Sequence, residues 1–490
     1  MENSVTTALS LDAALARGDA IQVDPILLNQ LEAVVGKRNV ATSIADLICY
    51  SHDIMPPAFK WVRRDDLPYL PHMVVFPGST ADVQEIVKIA NYNRIPVVPA
   101  GGTSGTIGGI LAVRGGIVID MKRMNRLIDL DPYSLTVTVQ TGMLGQDYED
   151  QLNMRGYIGG HYPQSIRCST VGGWIAPRGV GTFSSKYGKI EDIVQSLEIV
   201  LADGSIARTK NYPRSSCGPD MDQLFIGSEG TLGVITEATL RIWPAPAKRT
   251  WIGYGMPTFE AGVQACRDIL ASGLSPAVMR LYDEVEVSHA YHELGYEEFV
   301  GKESGLYFAC EGREDLVDLE AKVVHEACKA LGGIERPGLG ERWWRKRYDT
   351  GYLKKAYMLP NGIGDAIECA STYKNLTAMH DAMITAIKAE GAHEVFGHGS
   401  HFYPTGGNLY IIWSAFAESE TEIESTYWRI MDAAMKAVLS VDGTIGHHHG
   451  VGVNKGPWIH LDAPTMWPVV QKIKDALDPY GIMNPGKLGL

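Results

Sequence analysis

A run of three histidines, His447, His448 and His449, lies between glycines in the stretch GTIGHHHGVG at residues 443–452. Imidazole titrates near neutral pH, so the run offers a general acid or base, and its nitrogens also bind divalent metals. We expect an extended segment, in which side chains alternate, so His447 and His449 face one side and His448 the other. This spacing predicts that at most two of the three serve one site. The alternative is that one or two are half-buried structural imidazoles.

Three glycine-rich segments precede the histidines and offer a different chemistry. Residues 99–105 read PAGGTSG, residues 161–181 contain many small residues, and residues 227–233 read GSEGTLG. Consecutive glycines let backbone N–H groups point at one anion, and the Thr and Ser hydroxyls add donors for a pyrophosphate. Each segment alone is more typical of an ordinary turn or an irregular loop. Together they indicate backbone that lies close to one extended ligand.

The elements that must position these segments are of the α+β type. Residues 73–99 predict a strand, a capped amphipathic helix and a second strand, which is a βαβ unit. The glycines at 101–105 are followed by further strands and not by a helix, so the spacing excludes a Rossmann dinucleotide fold. Residues 247–440 mix amphipathic helices with strands such as GLYFACEG and LYIIWSAF.

Composition excludes several classes of protein. The 490 residues have a formal net charge of -13 and only short basic runs, which argues against a nucleic-acid partner. Since no apolar run reaches membrane-spanning length and the N-terminal residues lack a signal-peptide pattern, we expect a cytoplasmic protein without a membrane span. The 7 cysteines are scattered and odd in number, which does not suit disulfides, iron–sulfur clusters or zinc ribbons. Redox chemistry in this chain therefore requires an organic cofactor.

Taken together, the three segments resemble the FAD-binding family typified by vanillyl-alcohol oxidase and p-cresol methylhydroxylase. PAGGTSG, the STVGG at residues 169–173 and GSEGTLGVIT follow in the order and spacing of that family's flavin domain. LFIGSEG, HHHGVG and the tail DPYGIMNPGK are similar to the branch that contains alkyl-dihydroxyacetone-phosphate synthase and D-lactate-type dehydrogenases.

The resemblance implies an α+β, two-domain flavoprotein. We expect an N-terminal helical segment at residues 1–64 and an FAD-binding domain of two α+β subdomains at 65–245. An α+β substrate cap is expected at 246–445, followed by a C-terminal segment at 446–490 that returns to the FAD domain.

The resemblance also implies which residues hold FAD. The first segment would bind the diphosphate, with Gly101, Gly102, Thr103 and Ser104 beside Pro99. The second would line the flavin and ribityl with Pro163, Ser165, Ser169, Thr170, Gly173 and Trp174, with Arg178 nearby, and the third would pack near the adenine half with Glu229, Gly230 and Ile235. Many relatives attach FAD to a histidine in the first loop. This chain has Ser104 in that neighbourhood, so non-covalent FAD is predicted.

Relatives that oxidise 2-hydroxy acids hold a metal through a GH…GNLH pattern, which residues 397–410 resemble at His398. Tyr410 replaces the second histidine here, and His448 stands where those relatives place a carboxylate. Because a phenol is a poor divalent-metal ligand beside imidazole, we predict no metal. Tyr410 and the histidine run resemble instead the active-site tyrosine and histidines of the synthase pattern.

Lys354 lies where the synthase pattern has an arginine, fourteen residues before Glu368. Arginine binds carboxylate or phosphate through a planar fork, whereas lysine acts as a point charge, so the substrate class stays open. A solvated surface lysine is the alternative interpretation.

The predicted catalytic set is therefore His447, His448, His449, Tyr410 and Lys354. We expect FAD-dependent oxidation of a small alcohol or 2-hydroxy acid, with hydride transfer to flavin N5 and a histidine taking the proton. Electrons would pass to oxygen or to a separate acceptor such as an electron-transfer flavoprotein, and a homo-oligomer is expected. The alternatives are a transferase of the alkyl-dihydroxyacetone-phosphate synthase type, which uses FAD without net redox change, and a non-enzymatic flavin-binding module.

Overall fold

The computed structural model describes residues 9–10, 24–64, 66–349, 356 and 358–490. Its first sheet has four strands, in the spatial order Val40–Ala41, Met73–Val75, Ile117–Asp120 and Val97–Ala100. The last three are parallel, and the helix Thr80–Asn93 connects two of them. Ser79 caps this helix, and its buried residues recur at helical spacing, at Val83, Ile86, Val87 and Ala90. The loop after Val97–Ala100 leads to a strand without a helix, as the sequence predicted.

A second, antiparallel sheet follows along the chain. Its five strands lie in the order Ile206–Arg208, Val194–Val200, Val234–Arg241, Thr136–Gln140 and Leu127–Asp131. The helix Gly145–Asn153 and four short helices accompany it: Val171–Ile175, Ser184–Tyr187, Ile190–Ile193 and Asp222–Phe225. Thr170 precedes the helix Val171–Ile175, and its side chain caps the helix by accepting from the backbone N–H of Gly173.

The third sheet is antiparallel and larger than the other two. Its seven strands lie in the order Ile334–Glu335, Lys248–Met256, Ser304–Gly312, Val278–Tyr282, Glu394–Tyr403, Gly406–Phe416 and Gly362–Thr372. One face forms a core with four long helices: Phe259–Ala271, Glu314–Ala330, Tyr373–Ala389 and Ile423–Ser440. The other face packs with Glu284–Leu294 and Leu339–Lys346, and also with Phe183 and Tyr187 from the preceding part of the chain.

The C-terminal residues contact the first sheet. The backbone N–H of Val97 donates to the carbonyl of Ile482 at 2.8 Å, and the N–H of Asn484 donates to the carbonyl of Val97 at 2.8 Å. Lys487 is fully buried and donates to the carbonyl of Leu111. The helix Trp467–Leu477 precedes this tail, after the short helix Ile459–Asp462.

The α+β class with two domains is confirmed, whereas the predicted boundaries at 64, 245 and 445 stay predictions. Within residues 1–64, the structure describes the helices Pro25–Val35, Ile44–Ile48 and Pro56–Arg63, and residues 11–23 lie outside the described part. Among the described helices, none is both long and apolar enough to cross a bilayer.

Candidate active site

A glycine-lined cavity lies between the first sheet, which contributes Pro99 and Ala100, and the second sheet, which contributes Val234 and Ile235. All three predicted glycine-rich segments contribute to its wall. The predicted residues on the wall are Pro99, Gly101, Gly102, Thr103, Ser104, Ser169, Thr170, Gly173, Glu229, Gly230 and Ile235. Segments far apart in sequence therefore converge on one space, as the sequence indicated.

The backbone of the first segment packs closely against the second segment, which explains two of the glycines. A Cβ added to Gly101 would lie 2.2 Å from Thr170 Oγ1, and one added to Gly102 would lie 1.7 Å from the Cys168 carbonyl oxygen. Thr103 has a left-handed φ of 53°, a conformation found in anion-binding nests. A Cβ added to Gly109 would meet nothing within 4 Å, so the cavity is open at that point.

Four of the residues predicted to hold FAD do not lie on the cavity wall. Trp174 is buried in an apolar core, and its indole N–H donates to Ser169 Oγ at 2.7 Å. Arg178 donates to the side chain and the carbonyl of Gln223, each at 2.9 Å. The Ser165 carbonyl accepts from the Ser169 hydroxyl at 2.9 Å, and Pro163 precedes it in the same loop. Trp174 and Ser165 bond to Ser169 and so support its loop, whereas Arg178 bonds to Gln223.

The histidine run closes one part of the cavity through His449, which lies on the wall. The prediction of an extended segment is wrong, because residues 447–449 form a bend around the carboxylate of Glu368. Glu368 Oε1 accepts the backbone N–H groups of His447, His448 and His449 at 3.3, 3.2 and 2.7 Å. The rings consequently lie together: the Nδ1 atoms of His447 and His448 are 2.9 Å apart, and the ring centroids of His448 and His449 are 4.5 Å apart.

Glu368 itself was not predicted as a site residue. It is fully buried, and its Oε2 accepts from the ammonium of Lys455. Burial by itself would raise the pKa of Glu368, but Lys455 and His449 outweigh burial and hold the pKa at about 2. The strand Gly362–Thr372 contains a second acidic residue, Asp365, so local composition did not single out Glu368.

The third sheet places Glu368, Tyr410 and His398 side by side. Tyr410 is the direct cross-strand partner of both Glu368 and His398, so the three share one face of the sheet. The Tyr410 hydroxyl lies 3.3 Å from His449 Nε2, and its ring stacks on His398 with centroids 5.1 Å apart. His398 Nε2 is 2.6 Å from the Arg280 guanidinium. In the described part of the chain, no group of three or more His, Cys, Asp or Glu side chains could hold a metal ion.

A fourth histidine, which the sequence did not predict, joins the cluster. His401 has a left-handed φ of 52° at a bulge of the strand Glu394–Tyr403, and its ring lies 5.7 Å from His447 and 5.4 Å from His448. Its Nδ1 is 2.8 Å from the Ser184 hydroxyl. Non-glycine residues in this conformation are uncommon and occur at functional sites. Burial lowers the pKa of His401, His447 and His448 well below 6.5, so these imidazoles are neutral at physiological pH.

Residues 71–210 match the family described as "FAD binding domain", and residues 245–488 match "FAD linked oxidases, C-terminal domain". The chain is also 31% identical over 479 residues to the uncharacterized FAD-linked oxidoreductase YgcU of Escherichia coli, covering 94% of this chain and 98% of that protein. It belongs to the FAD-linked oxidase family.

Other relatives of the chain carry more specific names. It is 32% identical to alkyldihydroxyacetonephosphate synthase of Dictyostelium discoideum, over 87% of this chain and 74% of that protein. Glycolate oxidase subunit GlcD of Bacillus subtilis is 28% identical, over 94% of this chain and 96% of that protein. A solved structure of alkyldihydroxyacetonephosphate synthase has a TM-score of 0.79 at 25% identity, covering 99% of this chain and 89% of that chain.

The cofactor of this protein is FAD, and the cavity fits it. Thr103, Ser104 and Thr170 lie on the cavity wall, where their hydroxyl groups can donate to a bound anion. Among the described residues, no protein group accepts from the backbone N–H groups of Gly102 or Thr103, so both are available to an anion. The FAD-binding residues stay predictions at the level of individual contacts.

The wall residues that the sequence analysis missed include Asp53 and Asn484. Asp53 accepts the backbone N–H groups of Met55 at 2.9 Å and Gly109 at 3.2 Å, and burial raises its pKa to about 7. Asn484 donates to the carbonyls of Glu229 and Gly109. Neither residue belongs to a glycine-rich segment. The local sequence carried no signal for Asp53, whereas Asn484 lies within the tail DPYGIMNPGK.

Glu229 connects the third glycine-rich segment to the residues that follow the histidines. Its carboxylate accepts the backbone N–H groups of Val451 at 2.6 Å and Gly452 at 2.8 Å. Burial raises its pKa to about 7, although these two bonds oppose the shift. Its predicted place near the adenine half stays a prediction, as does the role of Lys354, which lies outside the described residues.

Proposed function

We propose that this FAD-linked oxidase oxidises the CH–OH group of a small alcohol or 2-hydroxy acid. The observation that carries the proposal is the cluster of neutral imidazoles beside Tyr410, at the part of the glycine-lined cavity formed by His449. A neutral imidazole can take the hydroxyl proton as the carbon is oxidised. The name of the GlcD relative, a glycolate oxidase subunit, supports this substrate class.

FAD supplies the hydride acceptor when it is bound. In our proposal, the backbone of residues 101–104 holds its diphosphate, and Ser169, Thr170 and Gly173 lie beside the flavin. The attachment is non-covalent, because Ser104 offers no imidazole to the first loop. Electrons then pass to oxygen or to a separate acceptor such as an electron-transfer flavoprotein.

The histidines and Tyr410 have different roles in the proposed reaction. His448 acts as the base, and the Tyr410 hydroxyl orients the substrate oxygen from its place against His449 Nε2. Glu368 fixes the three histidines through their backbone N–H groups, and Lys455 compensates its buried charge. Positioning of this kind lowers the barrier because the reacting groups need not be ordered during the reaction.

The experiment is an anaerobic titration of the purified, FAD-loaded protein. D-lactate, glycolate and aromatic alcohols are added separately, and the visible absorbance of the flavin is followed. At least one of them is expected to bleach the flavin, because bleaching reports two-electron reduction. If none of the three classes bleaches it, whereas dithionite does, the proposed oxidation is wrong.

A second candidate is a transferase of the alkyldihydroxyacetonephosphate synthase type. The presence of Tyr410 beside the histidine run favours it, together with the synthase relatives described above. This reaction has no net redox change, so its substrates would leave the flavin oxidised at the end of turnover. Incubation with an acylated ketone phosphate and a labelled long-chain alcohol distinguishes the two, because only the transferase exchanges the acyl group for the alkyl group.

A further inference from the structure

The histidine run lies between two separate cavities. His449 lies on the wall of the glycine-lined cavity, whereas His447 lies on the wall of a second cavity. Tyr403 and Lys189 also line the second cavity, and most of its other polar side chains are Ser, Thr or Asp. Because those groups are well hydrated, water is expected to fill the second cavity.

A continuous series of polar contacts crosses the run from His448 to the second cavity. The Nδ1 atoms of His448 and His447 are 2.9 Å apart, and the other ring nitrogen of His447, Nε2, lies 3.2 Å from the Tyr403 hydroxyl. His447 therefore uses one nitrogen toward His448 and the other toward Tyr403. An imidazole bonded at both nitrogens can accept a proton on one side and release a different proton on the other.

We propose that His448, His447 and Tyr403 form a proton-release path that carries the substrate's hydroxyl proton into the second cavity. The inference rests on the proposed function. Oxidation of H–C–O–H to C=O removes the carbon-bound hydrogen with two electrons, for which FAD is the acceptor, and it leaves one proton. That proton binds His448 at Nε2 as His448 releases its Nδ1 proton to His447. His447 then releases its Nε2 proton to the Tyr403 oxygen, and Tyr403 releases its own proton to water in the second cavity.

The charged groups around the path disfavour the protonated form of His447. The Lys189 ammonium donates to the His447 carbonyl at 2.7 Å, and Glu191 lies 3.0 Å from the same ammonium. Burial, followed by Lys189 and His401, lowers the pKa of His447 well below 6.5. Protonated His447 is therefore a transient species, which favours passage of the proton over its retention.

The first test uses no substrate. The holoenzyme is labelled with ¹⁵N in its histidine rings, and the spectra of Tyr403→Phe and of the control Tyr373→Phe are compared with that of the wild type. Tyr373 lies near the same hairpin, but its hydroxyl donates to the Tyr403 carbonyl and contacts none of the histidines. Tyr403→Phe is expected to shift the ring nitrogens of both His447 and His448, because the tautomer of one determines that of the other. If His448 keeps its wild-type shifts, the path is not continuous and the proposal is wrong.

The second test measures proton release in a single turnover, with a pH-indicator dye and the flavin absorbance recorded together. Tyr403→Phe and His447→Ala are expected to slow proton release by at least about tenfold, and added imidazole is expected to restore it through the second cavity. Tyr373→Phe should neither slow release nor respond to imidazole. Release at the wild-type rate in Tyr403→Phe would overturn the proposal, and so would slow release that imidazole leaves unchanged, since that indicates structural damage.

Failure of the proposed function would give a different result. In that case no hydroxyl substrate bleaches the wild-type flavin, while the nitrogen spectra still report whether His448, His447 and Tyr403 are coupled. Loss of coupling with bleaching intact would refute the proton-release path alone.

Discussion

The backbone N–H of His449 donates to the carboxylate of Glu368 at 2.7 Å, and this bond links the strand Gly362–Thr372 to the histidine run. Glu368 also accepts from the two preceding N–H groups and from Lys455. A single buried carboxylate therefore determines the conformation of the run. Since Tyr410 is the cross-strand partner of Glu368, the same sheet register also determines where the tyrosine meets His449.

Glu368→Gln is expected to destabilise the protein by about 3–5 kcal/mol, because it leaves the Lys455 ammonium buried without a charged partner. The double variant Glu368→Gln/Lys455→Met removes both charges and should recover much of that loss. Thermal unfolding of the FAD-loaded proteins measures both effects. Equal unfolding midpoints for the single variant and the wild type would show that the ion pair does not hold the loop.

Gly102→Ala is expected to lower the amount of FAD that the protein retains. An added Cβ would lie 1.7 Å from the Cys168 carbonyl, so the first and second glycine-rich segments would have to separate. Gly456→Ala is the control, because its nearest new contact is 3.5 Å away. The measurement is the ratio of flavin to protein absorbance after purification. Full retention by Gly102→Ala would contradict the tight contact between the two segments.

Much of the fold could be predicted from local sequence, since each predicted strand and helix of the first two sheets has its own periodicity and caps. The site was predictable where motifs carry it, as for Gly101, Gly102 and His449. Glu368, His401 and Asp53 were missed because their positions depend on strand register and long-range packing, which no local pattern encodes. The extended conformation assigned to residues 447–449 was wrong for the same reason, because a distant carboxylate bends the segment.

The rate of flavin reduction by substrate is expected to rise with pH and to reach its plateau before the pH reaches 7. The base must be unprotonated, and burial lowers the pKa of His449 from 6.5, while the pKa of His448 lies well below that value. Stopped-flow bleaching between about pH 5 and pH 8 measures this profile. An acidic limb centred above 6.5 would contradict neutral imidazoles in the resting site.

Tyr410→Phe is expected to reduce the plateau of that profile by about 10- to 100-fold, because it removes the hydroxyl that lies 3.3 Å from His449 Nε2. The amount of bound FAD should not change, since Tyr410 is absent from the wall of the glycine-lined cavity. Tyr373→Phe serves as the control for loss of a tyrosine hydroxyl in the same sheet region. A plateau equal to that of the wild type would remove Tyr410 from the catalytic set.

Glu229 is expected to make the protein less stable as the pH rises through neutrality. Burial raises its pKa from 4.5 to about 7, so its contribution to stability is fully present below pH 4.5 and is lost as the pH rises through 7. The loss is on the order of 3 kcal/mol for a shift of this size. Asp53 and Glu149 are shifted in the same direction, so the wild-type profile alone cannot isolate Glu229. The measurement is therefore the difference in unfolding midpoint between Glu229→Gln and the wild type, which should favour the variant more at pH 8 than at pH 5. A difference that does not change with pH would mean that Glu229 stays ionised in the folded protein, held by the N–H groups of Val451 and Gly452.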